Sequence, residues 1–317
     1  MEVDQKIVCI VLPTKNEESF IQEIIADIFS RFEYDGLYKP TIIVTDDSKD
    51  KTRQLANEAG ATVINGGGKG LGFAMYQGLK YALNFNPDYV VSCDSDGQID
   101  LNEIQEFLKP LENDEADLVI GSRFLKPNLV LYKYRWINRL GVRILSKILS
   151  SFVGFKITDS HGGIRAMRAS VVRELEMIGT HTYVQETIID ASDKGFRIKE
   201  IPSVWKKRRE GKSRVVSSIP TYIFYPLPIL IIRSKHHIKW LYSTGIALIL
   251  LALLYFLFIS WQASFQFKTM FGRLPSFILI ALFILAGIQL FFFGFILQLV
   301  KDIKYRLDRL DQNKGKF

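Results

Sequence analysis

Charge is missing from two long stretches of this 317-residue chain: no Asp, Glu, Lys or Arg occurs from Trp240 to Phe267 or from Leu274 to Val300. Each stretch exceeds the roughly 20 apolar residues that a bilayer-crossing helix needs. A buried helix of a soluble protein keeps a polar stripe, and neither stretch has one. Both are therefore predicted to span a membrane. Cysteine is nearly absent too. Cys9 and Cys93 both sit in apolar, strand-like runs, which reads as two reduced core thiols and excludes a disulfide framework or a cysteine metal site. The opening MEVDQKIVCIVLP places two acids before the first apolar run and has no small-residue cleavage site, so it does not read as a signal peptide. Internal repeats and low-complexity tracts are also lacking.

What the chain has in excess is positive charge, +8 overall. Arg233, Lys235 and Lys239 precede the first predicted span, and Lys301, Lys304, Arg306, Arg309, Lys314 and Lys316 follow the second. The connection between them carries only Lys268 and Arg273. The positive-inside rule then puts both termini in the cytoplasm. No zinc, helix-turn-helix or basic-aromatic sheet signature accompanies the charge, which argues against nucleic acid and for lipid headgroups and phosphate substrates.

Up to about residue 125, short apolar runs alternate with helix-period segments. Runs at Ile7–Leu12, Thr41–Thr45, Thr62–Asn65 and Tyr89–Cys93 are followed by helices from about Glu17, Thr52, Gly70 and Leu101, and Leu118–Gly121 closes the series. This predicts an α/β fold with a mostly parallel, Rossmann-like sheet, whose ligands bind beyond the C-terminal strand ends. Beyond it come an amphipathic basic-aromatic helix over Tyr132–Val153 and a strand at Ile198–Pro202. The expected organisation is a cytosolic catalytic domain over 1–217, an interfacial segment over 218–239 broken by Pro220, Pro226 and Pro228, two transmembrane helices over 240–300, and a basic tail over 301–317.

Polar residues gather just after each strand. Asp94-Ser95-Asp96-Gly97-Gln98 presents two carboxylates and an amide oxygen, a ligand set for a hard divalent cation, Mg2+ or Mn2+. Asp46 and Asp47 end another run, where acids can accept hydrogen bonds from a base or ribose. Asp50 and Thr52 read instead as helix caps. The Gly66–Gly72 segment with Lys69 fails both the dinucleotide fingerprint and the Walker pattern, so oxidoreductase and nucleoside triphosphatase readings lose their support.

Leu12-Pro13-Thr14-Lys15-Asn16-Glu17-Glu18, Asp46-Asp47-Ser48, Gly68-Lys69-Gly70, Asp94-Ser95-Asp96-Gly97-Gln98 and Gly121-Ser122-Arg123 occur in the order seen in family 2 inverting glycosyltransferases of the GT-A fold, which this sequence resembles. Asp159-Ser160-His161-Gly162-Gly163-Ile164-Arg165 and the run from Arg208 to Arg214 resemble segments of dolichyl-phosphate mannose synthases and undecaprenyl-phosphate sugar transferases. The resemblance covers about the first 215 residues. It implies donor contacts at Pro13, Lys15, Glu17, Asp46, Asp47, Lys69, Asp94, Asp96, Gln98 and Arg208, with metal at Asp94, Asp96 and Gln98. It implies acceptor-phosphate contacts at Arg123, Arg135, Asn138 and Arg139, and a reacting centre at Asp96, Arg123, Asp159 and Arg208. Lys15, Ile164 and His161 depart from the residues usual at those places, which points to a sugar pocket of its own.

The implied reaction moves a sugar from a nucleotide-sugar donor to dolichyl or another polyprenyl phosphate, with inversion. The acceptor is already anionic, so cations rather than a strong base are needed, and arginine suits phosphate. UDP-glucose or UDP-N-acetylglucosamine is favoured by analogy of the two trailing spans and the D-S-D-G-Q form, with a GDP-mannose-dependent dolichyl-phosphate mannose synthase as the alternative. A processive polysaccharide synthase would carry Q-x-x-R-W and more spans. A non-catalytic tethered binding protein would not need the Asp94, Asp96, Gln98 and Arg208 set. Ile303, Leu307 and Leu310 recur at helical spacing, a stripe suited either to pairing subunits in a homo-oligomer or to lying on lipid.

Overall fold

Strand β1, Lys6–Thr14, is apolar without interruption from Ile7 to Pro13, the pattern of a parallel strand covered on both faces. The computed structural model describes residues 5–177, 183–208, 237–262 and 274–314. In it β1 sends Val8, Ile10 and Leu12 into one core and Cys9 and Val11 into another on the opposite face. Around it the chain runs α1 (Ile21–Asp35), β2 (Tyr38–Asp46), α2 (Thr52–Glu58), β3 (Thr62–Asn65), α3 (Leu71–Ala82), β4 (Tyr89–Ser92), α4 (Ile104–Glu112) and β5 (Leu118–Ser122). Then follow α5 (Trp136–Val153), β6 (Arg165–Arg168), α6 (Ala169–Glu174), α7 (Val184–Asp193) and β7 (Ile198–Pro202).

The sheet order is β3-β2-β1-β4-β6-β5-β7. All neighbours are parallel except β6, which runs antiparallel to both β4 and β5. The mostly parallel α/β sheet expected from the sequence is thus present, with one inserted strand that the apolar pattern did not announce. Because β6 is reversed, its first residue, Arg165, pairs with Ser92 at the end of β4, and the preceding 159–164 loop joins the ligand edge of the sheet. Helix α1 starts at Ile21 rather than near Glu17. Asn16 is left-handed (φ 54°), and the Glu17 carbonyl accepts from Phe20 and Ile21 in a turn, which delays the helix. Helix α5 likewise starts at Trp136, not at Tyr132.

The chain divides into two compact units, Met1–Leu230 and Ile231–Phe317. The described residues of the second form α8 (His237–Gln262) and α9 (Leu274–Lys314). Gly245 and Gly287 bring the two backbones together: a Cβ on either would lie 2.7 Å from the other's carbonyl oxygen. Tyr242 donates to Gln298 at 3.2 Å, and the Tyr255 and Ser276 hydroxyls bond at 3.2 Å, polar ties typical of helix pairs in lipid. Ile238–Gln262 and Leu274–Val300 are long and apolar enough to cross a membrane, and only 22% and 17% of their most apolar windows are buried, which separates them from core helices of a soluble domain. The 209–214 part of the basic motif, the proline-broken 218–232 segment, Arg233, Lys235, Lys268 and Arg273 fall outside the described residues, as do the side chains of Leu307 and Leu310.

Candidate active site

Strands β1, β2, β4, β5 and β7 all end at one edge of the sheet, and most of the residues singled out from the sequence stand there. Ser95, buried between the two carboxylates of Asp94-Ser95-Asp96, donates to the Pro13 carbonyl at 2.7 Å and also lies 2.8 Å from Glu17 Oε2. One hydroxyl thereby ties the end of β1 to the loop after β4. Buried Asp46 accepts from Thr14 at 3.0 Å, from the Ser48 N–H at 3.3 Å and from Arg53 at 3.3 Å. Asp47 accepts from the Gly68 N–H at 2.8 Å, which fixes the glycine loop against β2. Gly67, Gly68 and Gly70 are all left-handed there, at φ 85°, 67° and 112°. Lys69 is exposed and lies over the Phe73 ring at 4.8 Å, and Lys15 is exposed. Asp50 accepts from the Thr52 N–H and hydroxyl, and Thr52 accepts from the Glu17 N–H, but the residue that precedes α2 is Lys51 and makes no side-chain cap bond, so neither is the helix cap expected from the sequence.

Asp94 and Asp96 meet at the centre of this edge. Tyr183 donates to Asp94 at 3.2 Å, and Arg208 donates to Asp96 at 2.5 Å. The Asp94 carboxylate rests on Gly163, where a Cβ would come within 2.5 Å of its Oδ2, so any larger residue would push it aside. Burial, and then the neighbouring Asp96, push Asp94 up to about 7, against the pull of Tyr183, Arg208 and Arg165. Gln98 stands beside the pair, its N–H on Asp96 at 3.0 Å and its side-chain amide near the Lys206 carbonyl at 3.4 Å. Among the described residues no group of three or more His, Cys, Asp or Glu could hold a metal ion. Two carboxylates still fit Mg2+ or Mn2+, ions that take much of their shell from water and substrate phosphates. Burial and the Asp96 charge together raise Asp94, and a dication would offset both by favouring the ionised carboxylate.

Arg123 and Asp159 form a second cluster with a different character. Asp159 accepts from Arg123 Nε at 2.6 Å, Nη2 at 2.8 Å and the backbone N–H at 3.1 Å, and from the His161 N–H at 3.0 Å. The guanidinium is 6% exposed and is enclosed by Trp205 at 4.5 Å, Phe124 at 5.3 Å and Tyr134 at 5.6 Å. Burial alone would raise the Asp159 carboxyl, but Arg123 outweighs it and holds the group below the usual carboxylate range. The buried ring of His161 is pushed down to about 3, first by burial and then by Arg123, and so is neutral. Its nitrogens lie 2.9 Å from the Ser160 hydroxyl and 3.2 Å from the Gln185 amide. Arg135 and Arg139 are exposed at the start of α5, Arg139 5.6 Å from the Phe124 ring, and Asn138 is half-buried between them.

Four participants were not singled out from the sequence. Tyr183 and Gln185 sit at the start of α7. Trp205 forms isolated bridges with Ile99 and Val130, which thread the chain after β7 past both clusters and deliver Arg208 to Asp96. Arg165, fully buried, donates to the Gly162 and Tyr183 carbonyls at 3.3 and 3.5 Å and so braces the wall behind Asp94.

A carboxylate pair and arginines thus stand at the ligand edge of a doubly wound sheet, and comparisons with known proteins identify the family. The profile of "Glycosyl transferase family 2" matches residues 9–176, and the chain belongs to that family of glycosyltransferases. It is 29% identical over 222 residues to a UDP-N-acetylglucosamine–dolichyl-phosphate N-acetylglucosaminyltransferase of Methanococcus voltae, covering 62% of this chain and 84% of the other. It is also 29% identical over 201 residues to a dolichyl-phosphate hexose transferase of Haloferax volcanii, covering 63% and 82%. Glucosyl-3-phosphoglycerate synthase from Mycobacterium tuberculosis, solved with Mn2+, UDP and glucosyl-3-phosphoglycerate, shares the fold with a TM-score of 0.54 at 22% identity, over 72% of this chain and 80% of that one.

Proposed function

We propose that this glycosyltransferase transfers a hexosyl or N-acetylhexosaminyl group from a UDP-sugar, UDP-glucose or UDP-N-acetylglucosamine, to the phosphate of dolichyl or another polyprenyl phosphate. The observation that carries this is the Asp94–Asp96 pair, crowded with like charge at the sheet edge and faced by Arg208. Relatives named for dolichyl-phosphate acceptors support the acceptor, and a shared fold solved with UDP and Mn2+ supports the donor and the ion.

In this reading the nucleotide lies against Pro13, Lys15, Glu17, Asp46 and Asp47, with Lys69 and the glycine loop closing over it. Mg2+ or Mn2+ at Asp94, Asp96 and Gln98 would neutralise the diphosphate and ease its departure. Arg208 swings from Asp96 to the diphosphate as the donor binds. An acceptor phosphate oxygen, received by Arg135, Asn138 and Arg139, attacks the anomeric carbon. The bond to the β-phosphate oxygen breaks, UDP leaves with the electron pair, and the configuration inverts. No proton has to be removed, so no side chain acts as a strong base. Arg123, its charge matched by Asp159, holds the acceptor side of the site in shape. Residues 1–217 do this chemistry on the cytoplasmic face, and the two apolar helices anchor the enzyme in the bilayer that holds the lipid.

The test is transfer of radiolabelled sugar into organic-extractable lipid by membranes containing the protein, with dolichyl phosphate, Mn2+, and UDP-glucose, UDP-N-acetylglucosamine or GDP-mannose supplied separately. Label from a UDP-sugar that vanishes in Asp96→Ala supports the proposal. Label from GDP-mannose alone replaces the donor, and none from any donor sinks the acceptor.

A further inference from the structure

Helix α5 presents water with a face that water does not favour. Trp136, Leu140 and Ile144, four residues apart, are 73%, 47% and 53% exposed, and Leu131 just upstream is 61% exposed. Soluble surfaces rarely carry such contiguous apolar strips. Arg139, Arg143 and Lys147, also four apart, are exposed beside them. From Phe124 to Thr158 there is no Asp or Glu, while Lys126, Lys133, Arg135, Arg139, Arg143, Lys147 and Lys156 are all basic.

The opposite face of α5 is fixed to the domain. Val142, Ser146 and Leu149 are buried. Ser146 accepts from the Ser160 N–H at 2.9 Å and donates to the Thr158 carbonyl at 3.3 Å, while Ser160 donates to the Val142 carbonyl at 3.4 Å. The helix therefore grips the segment that carries Asp159 while it turns an apolar and cationic strip outward.

We propose that this strip docks on the surface of an anionic phospholipid bilayer, with Trp136, Leu140 and Ile144 among the upper acyl chains and Arg143 and Lys147 on headgroup phosphates. Charge complementarity selects this occupant: a strip free of acids and flanked by cations fits a negatively charged interface, with tryptophan at headgroup level. The inference rests on the reading of α8 and α9 as membrane anchors, since they keep the domain beside a bilayer. Docking would hold the acceptor-phosphate residues at the start of α5 at headgroup depth, where a lipid phosphate waits.

The test uses full-length protein reconstituted in phosphatidylserine-rich or pure phosphatidylcholine vesicles, with a nitroxide on Ile144→Cys and, separately, on Leu140→Cys. Labelling is selective because Cys9 and Cys93 are buried and their thiols are pushed up, Cys9 to about 12. Collision with oxygen and with a water-soluble nickel chelate gives depth, and Asn57→Cys on α2 is the aqueous reference. In phosphatidylserine both α5 labels should favour oxygen over nickel several-fold more than Asn57→Cys does. Adding Arg143→Glu and Lys147→Glu should return them to the aqueous ratio. Nickel-accessible labels in both lipids overturn the proposal. Labels shielded from both quenchers overturn it in favour of a protein partner or a second copy. The reading needs no turnover, so it is independent of the sugar and the acceptor. In the transfer assay the double charge reversal should raise KM for a long-chain polyprenyl phosphate several-fold and leave KM for the nucleotide sugar unchanged, which a general folding defect would not do.

Discussion

The Arg123–Asp159 cluster and the Asp94–Asp96 cluster stand on the same edge of one sheet, yet the fold completes the first and leaves the second wanting. Arg123 meets its opposite charge with both guanidinium bonds made, rings around it and four donors on the carboxylate. Asp94 is buried and meets its like in Asp96, and these two causes displace its carboxyl to about 7. Charge matched within the chain belongs to the framework, whereas charge left in excess marks the place where a ligand supplies the remainder.

Breaking the closed cluster should have the largest effect. Asp159→Asn strands a buried guanidinium and is expected to cost about 3–5 kcal/mol of stability, read as a lowered unfolding midpoint. Arg123→Met with Asp159→Leu should recover most of that loss, and a parental midpoint in the single variant would refute the framework role. Breaking the open cluster should do the reverse: Asp96→Asn is expected to lower transfer about 10²–10³-fold, with an unfolding midpoint close to the parent. Equal losses of stability from the two variants would erase the distinction. A smaller effect is expected where the open cluster is braced. Tyr183→Phe removes the bond to Asp94 and should weaken Mn2+ binding and transfer about tenfold, measured by calorimetry and by the lipid-label assay. The gentlest probe is pH. Asp94 must shed its proton before a cation binds, so Mn2+ affinity should rise about tenfold per unit up to pH ~7 and level off above it. A flat profile between pH 5.5 and 8 would show that Asp94 is already ionised without the metal.

The sequence made the open cluster legible as a unit, whereas the closed one showed only its separate members. Two acids flanking a serine at the end of the apolar run Tyr89–Cys93 announce themselves locally, and strands β1 to β5 follow from similar runs. Arg123 and Asp159 were each conspicuous, but their pairing spans 36 residues and depends on β6, whose sequence Arg-Ala-Met-Arg has no strand-like alternation. Its arginines are accommodated because Arg165 finds carbonyls and Arg168 reaches exposed Asp114 and half-buried Asp117, partners that no local pattern displays. Trp205 was invisible for the same reason: its importance lies in bridging Ile99 and Val130 from far along the chain. Ser95 lay inside a recognised motif, yet the acids on either side drew attention from the hydroxyl that locks β1 to β4.

The reversed strand also sets a timetable for synthesis. β4 and β5 join the same sheet only through β6, which pairs with both, and β6 leaves the ribosome about 70 residues after β4 ends, an interval of roughly 4–15 s at ordinary elongation rates. During that interval β4 carries an unpaired edge, the kind of template on which nascent chains associate wrongly. Slowing translation before Arg165 would lengthen the exposure of that edge, and hastening it would shorten it.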